Sequence, residues 1–330
     1  MKADLPVIIR GTGSYAPEHI LTNEYFASYL DTSDEWITKR TGIKTRHKAG
    51  EGESTLTLAT AASRRALDDA EMQADEIDLI IVATATPETP LPATACVLQN
   101  ELGIENIPAF DVSAACSGFL YGMIIAGNMI KAGAHTNVLV VGAEVLTRMT
   151  DYQDRKTCIL FGDGAGAVVL SRSSDPERGF LFTDMGANGA MWDYIWVPAG
   201  GSREPASTRT VNERLHYMRM RGRELFKAAV VKMQSQIDEA LEATGLTPND
   251  LALVIPHQSN RRIIESARER MGLPPEKFAI NIDRYGNTSA ASIGLAFDER
   301  RRNGRLKEGD LVLLVAFGAG VTWATILARL

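Results

Sequence analysis

Cysteine is scarce in this chain, and its spacing excludes two common uses of the residue. Cys96, Cys116 and Cys158 are the three cysteines among 330 residues, and no two of them form a C-x-x-C pair. Such a set gives neither a disulfide framework nor a cysteine-based zinc site. We therefore expect a chain that holds no metal and works in a reducing compartment, the cytoplasm.

Long apolar runs and an excess of basic charge are also lacking. No stretch approaches the roughly eighteen uninterrupted apolar residues of a membrane span, and the start, Met-Lys-Ala-Asp-Leu-Pro, lacks the apolar segment of a signal peptide. The 35 Lys and Arg residues face 41 Asp and Glu residues, a net charge of −6 that argues against a general nucleic-acid binder. We expect a globular enzyme that binds neither membranes nor nucleic acid.

Apolar patterns indicate strands that alternate with helices, which is typical of an α/β fold. In the second half they predict helices over 222–245, 260–271 and 287–303, and strands over 251–255, 278–282 and 311–316. This order repeats that of the first half, and Glu101-Leu-Gly-Ile104 resembles Arg270-Met-Gly-Leu273. We therefore predict two related halves, 1–175 and 176–330, joined in the polar segment 171–179.

Two helices of this pattern are apolar or small on nearly every side. They follow Cys116 and Asn287. A helix of that kind is buried all round, so we expect both helices to lie between two sheets in a five-layer α/β/α/β/α arrangement. The glycine-rich segment 162–166 lies between β-branched runs, and we predict that it is the turn of a β-hairpin rather than a phosphate loop.

Cys116 lies at a predicted junction of strand, tight elbow and buried helix. A thiol at the first turn of a helix meets unpaired backbone N–H groups and the positive end of the helix dipole. Both favour the thiolate, so we expect a lowered thiol pKa and a nucleophile. A buried structural cysteine is the alternative for this residue type.

Three further positions could complete a site with Cys116. His257 ends a predicted strand, and ligands of α/β sheets bind beyond the carboxyl ends of strands. Asn287 becomes a candidate partner because the duplication places the loop after Ile282 opposite the Cys116 elbow. The turn Ala316-Phe-Gly-Ala-Gly320 follows the last predicted strand, and its N–H groups could help the Cys116 N–H to bind an oxyanion.

A second cluster precedes the first half's core. Trp36, Arg40 and Arg46 lie close together after the capping pattern Thr32-Ser33-Asp-Glu35, so an aromatic ring has cations beside it. The cluster is either a nucleotide and phosphate site or a solvated helix face.

Four motifs together resemble one family. DVSAACSGF at Cys116, PHQSNRR at His257, RYGNTSAAS at Asn287 and FGAGVTW near the end are similar to those of β-ketoacyl-acyl carrier protein synthase III, a thiolase-fold condensing enzyme. The resemblance runs over essentially the whole chain. It implies condensation of an acyl-CoA primer with malonyl-acyl carrier protein by a homodimer, with release of CoA and CO2 and with no metal or redox cofactor.

The resemblance also implies roles for single residues. Cys116 would accept the acyl group, His257 and Asn287 would serve decarboxylation, and the N–H groups of Cys116 and Ala319 would bind the oxyanion. Arg262 would dock the carrier protein. The residues that would bind CoA are Thr32, Trp36, Arg40, Arg155, Gly222, Phe226 and Asn260.

Two positions depart from the family pattern. At the position of Leu91 the family often has a Phe, which reaches from the partner subunit to the end of the acyl pocket. With Leu at this position, the accepted chain length is open. Ala319 stands where Gly is common, but a backbone N–H can still act there.

Three alternative functions fit the sequence to different degrees. A quinolone- or polyketide-type synthase of the same family shares these motifs. A thiolase needs a second catalytic cysteine in its C-terminal part, and no cysteine lies beyond Cys158. A non-enzymatic acyl-binding protein is disfavoured because the Cys, His and Asn are all present.

Overall fold

Two β-sheets and the helices around them form the frame of the molecule. The computed structural model describes residues 6–330, so the expectation about the N-terminal start falls largely outside the described residues. The strands are β1 (Val7–Tyr15), β2 (Ile20–Thr22), β3 (Thr45–His47), β4 (Leu79–Ala83), β5 (Ala109–Val112), β6 (Asn137–Val145), β7 (Asp163–Arg172), β8 (Gly179–Ala187), β9 (Ile195–Trp196), β10 (Arg219–Met220), β11 (Leu253–Pro256), β12 (Leu311–Gly318) and β13 (Thr322–Arg329). The α-helices are α1 (Asn23–Ala27), α2 (Asp34–Thr41), α3 (Thr55–Asp69), α4 (Thr94–Glu101), α5 (Gly118–Lys131), α6 (Thr208–Asn212), α7 (Gly222–Thr244), α8 (Arg261–Met271), α9 (Ile282–Tyr285) and α10 (Ala291–Arg302).

The two main sheets repeat one strand pattern. The first has the order β1-β7-β6-β4-β5. Strands β5, β4 and β6 are parallel to one another, and β7 is antiparallel to both of its neighbours, β6 and β1. The second has the order β11-β12-β13-β8, in which β11 and β12 are parallel and β13 is antiparallel to both of its neighbours, β12 and β8. Strands β4, β6, β7 and β1 thus correspond to β11, β12, β13 and β8, which is the duplication expected from the sequence.

Helices α5 and α10 form the central layer. One hydrophobic core contains Phe119 and Met123 of α5, Phe297 of α10, and buried strand residues of both sheets. A second core joins α3 and α4 to the outer face of the first sheet, and a third joins α7 and α8 to the outer face of the second. The predicted five-layer α/β/α/β/α arrangement is therefore confirmed.

The predicted hairpin at the glycine-rich segment is wrong. Residues 163–172 form one continuous strand, β7, and Cys158 lies in the turn before it. Gly166 is needed for close packing, since a Cβ atom built on it would lie 2.5 Å from the Cα of Gly294 in α10. The glycines of this segment let a strand touch a helix, and they do not turn the chain.

The predicted strand over 278–282 forms only in part. Phe278 makes a single bridge to Val254. Beyond it the buried Gln258 side chain takes the place of a neighbouring strand: its Oε1 accepts from the N–H groups of Asn281 at 3.0 Å and Ile282 at 3.2 Å. The segment then turns into α9.

No helix among residues 6–330 is both long and apolar enough to cross a membrane.

Candidate active site

Cys116 lies where the sequence predicted it, between β5 and the buried helix α5. Residues 115–117 form a single 3-10 turn. Ala115 has a φ of +46°, in the left-handed region, which is energetically unfavourable for any residue that has a side chain. This strained turn carries Cys116 into the space between the ends of the two sheets.

The expected lowering of the thiol pKa is wrong for this structure. Burial raises the pKa of Cys116 to about 12, because a low-dielectric surrounding disfavours the thiolate. A hydrogen bond with Ser289 acts in the opposite direction, and the charge of Glu144 raises the pKa further. The resting thiol is therefore neutral at physiological pH, and the helix terminus does not outweigh burial.

His257 follows β11 directly and is 1% exposed. Its Nδ1 lies 2.6 Å from the Ser292 hydroxyl oxygen at the start of α10. Burial lowers the pKa of His257 to about 3, so the imidazole is neutral. When Ser292 donates to Nδ1, the ring proton lies on Nε2, and that N–H is the group available to a substrate.

Asn287 is held by three hydrogen bonds that leave its side-chain amide N–H groups as donors. Its backbone N–H donates to the Leu160 carbonyl at 2.9 Å, and its carbonyl accepts from the Gly162 N–H at 3.0 Å. The side-chain Oδ1 accepts from the Ser289 N–H at 2.9 Å. Residues 287–292 therefore reach all three candidates: Asn287 belongs to the segment, Ser289 is close enough to Cys116 to lower its pKa, and Ser292 contacts His257 at 2.6 Å.

The turn after β12 packs directly on the Cys116 backbone. A Cβ atom built on Gly318 would lie 2.9 Å from the Cys116 nitrogen, and the Thr322 hydroxyl donates to the Ala114 carbonyl at 2.9 Å. Ala319 follows Gly318 in this turn. The backbone N–H groups of Cys116 and Ala319 thus belong to two segments in contact.

Trp36 in α2 carries two cations on its ring. The Arg40 guanidinium lies 5.1 Å and that of Arg155 lies 4.4 Å from the ring centroid, and Arg155 also pairs with Asp31 at 3.6 Å. A flat ring between Trp36 and Arg155 would need two stacking distances, roughly 7 Å. Arg155 must therefore move outward before a base can enter between them.

The other residues proposed for CoA border the same region. Asn260 caps α8 through the Arg262 N–H at 2.9 Å, and its side-chain amide donates to the Arg40 carbonyl at 3.2 Å. The exposed Arg262 guanidinium lies 5.3 Å from the centroid of the Phe226 ring. Gly222 begins α7, one turn before Phe226, while Thr32 precedes α2 and keeps a buried hydroxyl without a hydrogen-bond partner.

Arg46 does not belong to this cluster. It is 0% exposed, donates to the Asn23 side chain at 2.8 Å and to the Ile159 carbonyl, and stacks on Phe26. Burial lowers its pKa to about 10, which still leaves it charged. Arg46 holds together the layer beneath the site, and its sequence proximity to Trp36 was misleading.

Leu91 lies apart from the catalytic candidates and is 86% exposed. It does not close a pocket of its own chain. Among residues 6–330 no group of three or more His, Cys, Asp or Glu side chains could hold a metal ion.

Comparison with known families agrees with this arrangement. The model of 3-oxoacyl-(acyl-carrier-protein) synthase III matches residues 110–189, and that of the C-terminal part of the same family matches residues 241–330. A curated beta-ketoacyl-(acyl-carrier-protein) synthase III of Caldanaerobacter subterraneus is 53% identical over 317 residues, 96% of each chain. The chain belongs to the 3-oxoacyl-(acyl-carrier-protein) synthase III family. It is a condensing acyltransferase.

Solved structures of the family share the fold. The synthase III of Aquifex aeolicus is 47% identical, with a TM-score of 0.90 over 98% of this chain and 100% of that one. The Thermus thermophilus enzyme is 43% identical, with a TM-score of 0.90 over 98% of each chain. A priming β-ketosynthase of the R1128 polyketide pathway has the same TM-score of 0.90 over 100% of this chain and 98% of its own, at 34% identity. The higher identities favour fatty-acid-type synthases over the polyketide-type alternative.

Proposed function

We propose that this chain joins an acyl group from acyl-CoA to malonyl-acyl carrier protein through an acyl-Cys116 intermediate, giving 3-oxoacyl-acyl carrier protein, CoA and CO2. The observation that supports it is the segment 287–292, which links Cys116, His257 and Asn287 in a chain of this family.

In the first step Cys116 attacks the acyl-CoA carbonyl. The new S–C bond forms first and gives a tetrahedral intermediate; the bond to the CoA sulfur then breaks, and the thiol proton leaves with the CoA thiol. The N–H groups of Cys116 and Ala319 would hold the oxyanion of the tetrahedral intermediate. Because burial raises the Cys116 pKa to about 12, proton transfer must accompany attack, and the resting enzyme does not hold a stored thiolate.

In the second step malonyl-acyl carrier protein loses CO2, and negative charge grows on its thioester oxygen. The Nε2–H of His257 and the side-chain N–H of Asn287 donate to that oxygen. Their interaction strengthens as charge develops, which stabilises the transition state more than the ground state. The carbanion then attacks the acyl-Cys116 carbonyl, and the Cys116 sulfur leaves as a thiolate that takes up a proton from solvent.

The remaining roles rest on the same family relationship. The adenine of CoA would stack on Trp36 after Arg155 moves outward, with Arg40 near the phosphates and Thr32 alongside. Gly222, Phe226 and Asn260 would line the tunnel of the pantetheine arm, and Arg262 would meet the acidic carrier protein.

Assembly and location complete the proposal. We propose a cytoplasmic homodimer in which Leu91 of one protomer reaches the acyl pocket of the other, since Leu91 is 86% exposed in the single chain. The mechanism requires no metal or redox cofactor, because every charge that develops has a protein donor.

The test is to map the acyl group after incubation with a panel of acyl-CoA primers. We expect the acyl mass on the Cys116 peptide and on neither of the other two cysteines. Cys96 is exposed on α4 and Cys158 is buried in a turn, so they control for simple accessibility and for burial. An acyl mass on either control peptide would contradict the proposal. The primer that is retained longest identifies the substrate.

A further inference from the structure

Glu144 is a buried carboxyl group that the proposed mechanism does not use. It is 0% exposed and lies near the end of β6. Two residues earlier Gly142 pairs with Ala83 of β4, and Ala83 pairs with Val112 of β5, whose chain leads to Cys116. Glu144 therefore lies at the carboxyl ends of the three parallel strands that carry the nucleophile.

Hydrogen-bond donors surround the Glu144 carboxyl group. The Thr86 hydroxyl donates to Oε2 at 2.8 Å, and the Ala85 N–H lies 3.1 Å from Oε2 and 3.2 Å from Oε1. The Thr84 hydroxyl lies 3.4 Å from Oε2. Ser289 and the Ala290 backbone also lie close enough to lower the pKa of Glu144. An ionised carboxylate, which only accepts, fits such a ring of donors, and an amide would not.

Ser289 stands between Glu144 and Cys116. The next residue, Ala290, packs on both segments: a Cβ atom built on Gly142 would lie 2.4 Å from the Ala290 carbonyl oxygen, and one built on Gly118 would lie 3.9 Å from the Ala290 Cβ. The Ser289 side chain also lowers the pKa of both Cys116 and Glu144, so it lies close to both groups. The Ser289 backbone is fixed, with a φ of +46° and with its N–H donated to Asn287 Oδ1. A hydroxyl carries one proton, so Ser289 can donate to the carboxylate or to the thiolate, but not to both.

We propose that Glu144 is a positioning residue for the Cys116 thiol: its carboxyl group holds the Ser289 hydroxyl and couples its own charge to that of the thiol. This inference rests on the proposed role of Cys116 as the nucleophile. When Glu144 is ionised, its carboxylate accepts the hydrogen bond of the Ser289 hydroxyl and repels a nearby thiolate. When Glu144 is neutral, the Ser289 proton is available to the sulfur.

Both charge states of Glu144 are accessible near neutral pH. Burial raises its pKa to about 7, and the bonds from Thr86, Ala85, Ser289 and Ala290 limit the rise. The groups that contact it from these segments are neutral hydroxyls and N–H groups, and Cys116 is its titratable neighbour. The charge of Glu144 therefore reaches the reaction through Cys116.

The test measures alkylation of Cys116 by iodoacetamide as a function of pH, in the full chain and in a Cys96→Ser background, because Cys96 is exposed. Glu144→Gln should increase the thiolate fraction of Cys116 at pH 7 about tenfold, the effect of lowering the thiol pKa by one. Ser289→Ala should decrease it. In a Ser289→Ala background, Glu144→Gln should have a smaller effect than in the otherwise unaltered chain, because the coupling passes through one hydroxyl.

Asp298→Asn is the matched control. Asp298 is also a buried carboxyl that accepts from two hydroxyls, those of Thr12 at 2.8 Å and Ser14 at 2.6 Å, and it lies farther along α10. The Asp298→Asn substitution should leave the pH profile of Cys116 alkylation unchanged. A folded Glu144→Gln protein with the profile of the unaltered chain would overturn the proposal.

A second measurement covers the case in which Glu144→Gln fails to fold. The alkylation profile of the chain with an intact Glu144 should contain an inflection near pH 7 from Glu144, well below the titration of the thiol itself. A profile without an inflection near pH 7 would also overturn the proposal. Failure of the proposed function is distinguishable, because it would appear as an acyl group on another cysteine whatever the alkylation profile.

Discussion

His257 and its partner Ser292 allow the two chemical steps to be separated. His257→Ala removes a donor to the thioester oxygen, whereas Ser292→Ala removes only the group that holds the ring. Because burial lowers the His257 pKa to about 3, the imidazole is a neutral donor over the working pH range. We expect both variants to accept an acyl group on Cys116 and to lose decarboxylation.

The sizes of the two losses follow from the contacts. Loss of one preorganised donor typically costs about 10²–10³ in kcat, and this is the expectation for His257→Ala. Ser292 acts through a 2.6 Å contact to Nδ1 that fixes which ring nitrogen carries the proton. Groups that orient a metal-bound imidazole are worth about 10–100-fold in activity, and we expect Ser292→Ala to fall in this range. Its buried partner also loses a hydrogen bond, at about 1–3 kcal/mol of stability.

The assay measures acyl-enzyme formation by intact mass and CO2 release from malonyl-acyl carrier protein on the same preparations. Ser63→Ala is the matched control for Ser292, since Ser63 is a buried serine that bonds only within α3, to the Ala59 carbonyl at 2.7 Å. In the unaltered enzyme, protonation of His257 should cause no inflection of CO2 release between about pH 5 and 8. If His257→Ala abolished acylation as strongly as decarboxylation, His257 would be the proton acceptor for Cys116, and the assignment of His257 to decarboxylation alone would be wrong.

Two further substitutions test the proposed contacts at the periphery. Leu91→Phe should reduce the use of longer primers, because overpacking a pocket typically costs about 1–3 kcal/mol. Val231→Phe, at another exposed apolar position, should leave the chain-length profile unchanged. The same chain-length profile in both variants would show that Leu91 does not line the acyl pocket. Arg262→Glu should slow the use of malonyl-acyl carrier protein and weaken its salt dependence while sparing acylation by small acyl-CoA. Arg270→Glu, at the other end of α8 and paired with Asp238 at 2.6 Å, is its control, and equal loss in both half-reactions would assign Arg262 a structural role.

The positions of the three candidate catalytic residues could be predicted because each is tied to a local pattern. Cys116 follows an apolar strand and precedes an apolar helix, and His257 follows another strand. Asn287 came from the duplication, which the strand order of the two sheets bears out. Their chemical roles stay predictions, as does the boundary between 1–175 and 176–330.

The residues that support these three could not be predicted, because their partners are distant in sequence. Ser292 bonds to His257 across 35 positions, and Glu144 bonds to Thr86 across 58. The prediction of a lowered Cys116 pKa was wrong for the same reason. The helix terminus is local and visible in the sequence, whereas the burial of the thiol is not. Only the fold tells a buried Arg46 from the cations that face Trp36.

The close contact between Gly166 and Gly294 bears on the order in which the chain can fold. It joins β7 of the first sheet to α10, a helix encoded more than a hundred residues later. Asp298 of α10 likewise accepts from Thr12 in β1, so the core of the first sheet is complete only after the last third of the chain is present. Loops of this length must close before their contacts are gained, which makes folding slow. During synthesis the N-terminal half would therefore leave the ribosome with the inner face of its sheet covered by α5 but not by α10, and the repeats of this fold are not independent folding units.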